Sequence, residues 1–113
     1  MYGVIRRYRL ADGVAVADLM QRVQQGFVPI INRMPGFMAF QAIDLGDGAI
    51  VSISVFDGRD NAEASSRRAA DHIQNELAAF FAGPPEVEAG EVGAYGVQSP
   101  AEDAASPRLD PPA

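Results

Sequence analysis

The chain has 113 residues, is 48% hydrophobic, carries a formal net charge of −6 and contains no cysteine. That length suits one domain with its own core. The acidic balance argues against a nucleic-acid surface, which needs clustered cations. The lack of cysteine excludes disulfides, thiolate chemistry and cysteine-based metal sites. No stretch has the layout of a signal peptide or the roughly 18 apolar residues of a membrane span, so a soluble cytoplasmic protein is expected.

The stretch YGVIRRYRL (Tyr2 to Leu10) is rich in β-type residues and predicts a first strand, closed by the turn ADG. From about Val14 to Met34, the residues Val16, Leu19, Met20, Val23, Phe27, Ile30, Ile31 and Met34 recur at helical spacing and form one apolar stripe. Gly26 and Pro29 interrupt it. An interior proline removes a hydrogen bond and clashes with the preceding turn, so a kink or break near Gly26 is expected. The helix should stop at Met34. Pro35 disfavours helical geometry in the residue before it and has no N–H, and Gly36 can supply the dihedrals of a tight corner.

Two strands follow, GFMAFQAIDL (Gly36 to Leu45) and AIVSISVFD (Ala49 to Asp57), joined by a GDG hairpin signal. A second helix lies within DGRDNAEASSRRAADHIQNELAAFFAG. Asp60 is its expected N-cap, and Glu63 completes a capping-box pattern. Gly83 and the pair Pro84-Pro85 end it. EVEAGEVGAYGV (Glu86 to Val97) predicts a weaker fourth strand. Residues 99–113, SPAEDAASPRLDPPA, hold one large aliphatic residue, Leu109, and no aromatic. They cannot offset their ordering entropy by burial, so a domain of residues 1–98 with a flexible tail at 99–113 is expected. The order β-α-β-β-α-β predicts an α+β, ferredoxin-like fold, in which a four-stranded antiparallel sheet carries two helices on one face.

The sheet is apolar on both sides. In the third strand, Val51, Ile53 and Val55 oppose Ile50, Ser52, Ser54 and Phe56; in the second, Met38, Phe40 and Ala42 oppose Phe37, Ala39, Gln41, Ile43 and Leu45. An antiparallel sheet with one wet face should alternate apolar and polar residues. So much exposed apolar surface calls for a second cover, most simply a second copy in a two-fold contact. A homodimer through the open sheet face is expected, with Gln41, Ser52 and Ser54 facing the partner.

IRRYR in the first strand, GFVPIINRMPGF at the end of the first helix, DGAIVSISVFDGRDNAEASSRRAADHI and PPEVEAGEV together resemble the antibiotic biosynthesis monooxygenase-like family of the dimeric α/β-barrel superfamily. The resemblance spans about residues 2 to 97. It implies two ferredoxin-like subunits packing their sheets into a barrel, each with a cavity between sheet and helices. Some members of that family are cofactor-independent oxygenases of aromatic polyketides, in which polar groups hold a substrate anion that itself reduces oxygen. Related members bind and degrade haem, and many have no known activity. Such sites often include a tryptophan, and this sequence has none. The implied reading is a protein that binds a small hydrophobic or aromatic ligand and needs no cofactor or metal. The alternatives are a cofactor-independent monooxygenase and a haem-binding or haem-degrading protein; whether the chain is an enzyme stays open.

Candidate site residues follow. His72 is the only histidine and the only side chain that ordinarily titrates near neutrality, a general base or ligand if it reaches a cavity mouth and a helix-flank residue otherwise. Ser65 and Asn75 lie within one or two helical turns of it. Arg6, Arg7 and Arg9 place cations on both faces of the first strand, where one could steady an enolate or phenolate, or pair with Asp44 or Glu91. Tyr8 and Tyr95 could donate to a ligand oxygen, or sit in the core with satisfied hydroxyls. The candidate catalytic set is His72, Asn75, Arg7 and Tyr8.

Overall fold

A computed structural model of the protein describes residues 1–98, so the expected tail at 99–113 lies outside the described residues. The elements are β1 (Tyr2–Arg9), α1 (Val16–Arg22), α2 (Val28–Ile31), β2 (Phe37–Asp44), β3 (Ala49–Phe56), α3 (Arg59–His72) and β4 (Glu86–Glu91). The strands form one antiparallel sheet in the order β2-β3-β1-β4, the α+β ferredoxin-like arrangement. The helices cover the face that bears Val4, Tyr8, Ile50 and Phe56, and the core forms there around the fully buried Leu19 and Phe56.

Neither helical segment is regular to its end. Between α1 and α2 the chain makes a π turn over Val23–Phe27, and the Val28 N–H bonds back to the Val23 carbonyl. The extra residue in that turn places Pro29 in the first two residues of α2, where no donor is required of it. The kink expected near Gly26 is therefore a widened turn and not a break. A second π turn, Ile73–Leu77, follows α3 and tightens into a 3-10 turn over Ala78–Phe80.

Helix α3 starts one residue before the expected cap. Gly58 occupies the N-cap position without a side-chain bond, so Asp60 already lies in the first turn. Its charge still faces the positive end of the helix. Glu63 does not reach back to the cap, because Arg59 holds it at 3.0 Å.

The corner after α2 is a type II turn. The Phe37 N–H donates to the Met34 carbonyl at 3.2 Å, Pro35 is the first central residue, and Gly36 is the second, at φ +76°. A Cβ on Gly36 would collide with Asp57 Oδ1 and with Asn61 Nδ2, which are hydrogen-bonded to each other. Glycine is thus required for conformation and for space alike.

The alternation expected in β2 is broken by a bulge between Phe37 and Ala39. Met38 is pushed outward, and Phe37 pairs with the buried Phe56. Phe37 and Phe40 therefore both join the core. In β3 the expected assignment of Ser52 and Ser54 to a partner-facing surface is wrong. Both are buried on the helix side, beside Ile50 and Phe56, because those two residues anchor that face in the core. Gln41 does stay exposed, in register with Ile53 on the open face.

Candidate functional site

A small chamber of about 40 Å³ lies between sheet and helices. The two π turns wall it, through Val23 and Phe27 on one side and Ile73 and Leu77 on the other. Its floor is the sheet, with Arg6 and Tyr8 from β1, Phe40 and Ala42 from β2, and Ile50, Ser52 and Ser54 from β3. Arg6, Tyr8, Ile73 and Phe81 are shared with a larger outer cleft of about 540 Å³, rimmed by Ser66, Gln74, Gly83, Pro84, Pro85 and Val87. That volume lies in the range of small-molecule sites.

The mouth is built by the segment after the 3-10 turn. The Ala11 N–H donates to the Phe80 carbonyl and the Ala82 N–H to the Arg9 carbonyl, both at 2.9 Å, and so hold residues 80–82 against the end of β1. Phe81 then stacks on Tyr8 with ring centroids 4.5 Å apart. At the other end of the chamber Phe27 meets Phe40 edge-on at 5.3 Å.

Three polar features stand out in this apolar setting. Arg6 is 8% exposed, and its Nη2 donates to the Ser66 hydroxyl. It has no carboxylate partner: among the described residues the one ion pair is Arg59–Glu63, at the surface. The expected pairing of the β1 arginines with Asp44 or Glu91 therefore does not occur. Burial pushes the Arg6 guanidinium below its ordinary pKa, and Tyr8 beside it opposes that shift. Tyr8 is itself buried, and burial pushes its phenol up, with Arg6 opposing. Ser54 is 2% exposed, and its hydroxyl has no hydrogen-bond partner. By contrast, the buried Ser65 hydroxyl donates to the Ala62 carbonyl at 2.7 Å.

The expected catalytic set does not converge. Tyr8 lines both compartments. Arg7 does not, since it is exposed on the opposite face of β1, in register with Val51 and Glu86. Strand alternation makes Arg6 the arginine of the cavity. Asn75 is exposed and lines neither compartment, because it lies two residues from each of the chamber-lining Ile73 and Leu77 and so falls on the opposite side of the helix. His72 is half-buried in a groove between the helices, its ring 5.5 Å from Phe27, with Arg22, Gln25, Gly26 and Glu76 around it. The imidazole lies beside Gly26, where even a Cβ would meet it at an ordinary 3.9 Å. His72 faces this groove and not the chamber, whose polar lining is Arg6, Tyr8, Ser52, Ser54 and Ser65. Tyr95 is exposed and lines neither compartment. Sequence reasoning underrated Arg6, Ser52 and Ser54. The signal was their phase: Arg6 shares β1 parity with Val4 and Tyr8, and both serines share β3 parity with Phe56.

Solved structures with this architecture span nearly the whole domain. A protein of unknown function from Nitrosomonas europaea superposes with a TM-score of 0.72 at 20% identity, over 87% of this chain and 94% of its own. A monooxygenase from Streptomyces coelicolor, solved in complex with nanaomycin D, superposes at 0.68 with 16% identity, over 87% of this chain and 92% of its own. The fold is that of the antibiotic biosynthesis monooxygenase-like proteins. SnoaB, a cofactor-independent oxygenase from Streptomyces nogalater, shares it at a TM-score of 0.64 and 18% identity, over 83% of this chain and 94% of its own. No protein-family model matches the chain, and a search of curated proteins finds no match. No helix among the described residues is long and apolar enough to cross a membrane, and no cluster of histidine, aspartate and glutamate side chains among them could hold a metal ion.

Proposed function

We propose that this monooxygenase-like chain is a cytoplasmic homodimer that binds a small, flat hydrophobic or aromatic molecule between its sheet and its helices. One observation carries the reading. An aromatic-walled cavity contains a buried guanidinium without a carboxylate and a buried hydroxyl without a partner. Unpaired polar groups in an apolar interior cost stability, and a ligand that meets them repays that cost. The partner chain is supported by the open sheet face, where Ile5, Met38 and Ile43 are 44%, 41% and 39% exposed and Val51 and Ile53 lie among them.

The test is titration with a naphthoquinone of the nanaomycin type, followed by tyrosine fluorescence in wild type and Tyr8→Phe and by thermal unfolding. Saturable quenching with a rise in Tm is expected, and no shift at ligand concentrations up to solubility overturns the reading.

A cofactor-independent monooxygenase is the second reading, favoured by the fixed cation at the apolar cavity. Arg6 would hold an enolate or phenolate there, and a fixed charge in a dry site favours developing negative charge. Tyr8 would donate to the same oxygen. Oxygen uptake with an anthrone is expected to fall at least tenfold in Arg6→Gln and to be unchanged in His72→Ala. Loss of turnover in His72→Ala would return the histidine to the site.

A further inference from the structure

The geometry points to Arg6 as a specificity-determining residue that selects a carboxylate: the ligand is an apolar aromatic acid whose carboxylate sits at the boundary between the inner chamber and the outer cleft. This rests on the cavity reading above and narrows it from a flat apolar molecule to an acid.

Arg6 stands on β1 between Ser52 on β3 and Val87 on β4, on the face that the helices cover. It contributes to the walls of both compartments. Its one hydrogen bond among the described residues goes to Ser66, and Ser66 Oγ in turn donates to the Ala62 carbonyl at 3.1 Å. A guanidinium carries five N–H donors in a planar fork. The contact to Ser66 uses one arm, and a neutral hydroxyl does not balance a buried charge.

A carboxylate does both. It accepts two parallel N–H bonds and neutralises the cation in a low-dielectric setting, where charge-assisted bonds are stronger than neutral ones. The rest of such a ligand meets Tyr8, Ile73 and Phe81 in the shared wall. Ser54, on the neighbouring strand, also contributes to the chamber wall, and its buried hydroxyl has no partner. The chain's net charge of −6 gives an acid no general attraction, so selection has to be local, at Arg6.

The experiment compares 2-naphthoate with its neutral isostere 2-naphthamide by calorimetry, on the full chain and on Arg6→Gln and Arg6→Lys. Wild type is expected to bind naphthoate at least tenfold more tightly than naphthamide. Arg6→Gln should lose that preference by weakening naphthoate alone, and Arg6→Lys, which keeps the charge but not the fork, should retain only part of it. Ligand-free Arg6→Gln should also unfold at or above the wild-type Tm, because it removes a buried unpaired charge; a residue with a purely structural role would lower it.

Equal affinities for the two compounds in wild type would overturn the acid and leave the cavity reading standing. A naphthoate preference that survives in Arg6→Gln would overturn Arg6 as its source. Binding of neither compound by wild type would overturn both readings together. The wild-type comparison needs no variant, so a variant that fails to fold does not decide the matter.

Discussion

The two faces of the sheet are both largely apolar, but each departs from what a lone domain would choose. The face under the helices holds a cation, a phenol and hydroxyls: Arg6, Tyr8, Ser52 and Ser54. The open face holds Ile5, Ile43, Val51 and Ile53, with Arg7 and Gln41 among them. A stable lone domain would keep Arg6 and Ser54 out of the core and more polar residues on the open face. Polar atoms inside weaken the fold unless something meets them, and apolar atoms outside weaken solubility unless something covers them. The proposed ligand would meet the inner face, and the proposed second chain would cover the open one.

The largest blow to this contrast comes from its fixed point. Phe56 anchors the inner face and is fully buried, so Phe56→Ala should cost about 3 to 5 kcal/mol in urea unfolding. A much smaller cost would mean that the chamber collapses freely. On the open face, Ile53→Asp should convert a dimer to a monomer by light scattering, at a modest cost to the monomer because Ile53 is half-buried in an interior strand. Its dissociation constant should rise by roughly a hundredfold, about 2.7 kcal/mol. A wild type that is already monomeric at micromolar concentration would mean that no second chain covers the open face.

A finer test compares two buried serines. Ser65→Ala loses a hydrogen bond to the Ala62 carbonyl and should cost about 1 kcal/mol. Ser54→Ala loses no bond and deletes an unpartnered hydroxyl, so it should be neutral or stabilising by up to about 1 kcal/mol. Equal losses in both would show that Ser54 is satisfied within the fold.

The smallest effect is a pH dependence. Burial raises the Tyr8 phenol above the ordinary tyrosine value of about 10. The folded state then holds that proton longer than the unfolded chain does. The stability is fully present below pH of about 10 and declines as pH rises from there through the raised value. Tyr8→Phe should remove that part of the alkaline slope.

The element order, the α+β class and the existence of a doubly apolar sheet were legible in the sequence, because they rest on periodicity and on punctuation by proline and glycine. The corner at Met34–Phe37 shows this well. Pro35 and Gly36 encode a type II turn locally, and the structure adds only the crowding by Asp57 and Asn61. The capping of α3 was less legible, since Gly58 and Asp60 are both acceptable N-caps and packing chooses between them.

The site was the least legible part. IRRYR offers arginines of both phases, and strand alternation alone does not say which phase faces the helices. Ser52 and Ser54 looked like polar relief for a partner surface, yet they share parity with Phe56, the residue the core claims most strongly. His72 sits on the helix flank, and only the packing of the two helices shows that it meets Phe27 in the groove between them and not the chamber.

What the sequence determined by itself is the local grammar: where the chain runs straight, coils and turns, and how much apolar surface it must hide. Tertiary structure alone decided which face each side chain occupies. Facing is a relation between elements, set by the register of β1 on β3, by the bulge at Met38 and by the helices that choose one side of the sheet. Those choices bury one cation without a carboxylate, and that made Arg6, and not its neighbour Arg7, the arginine of the cavity.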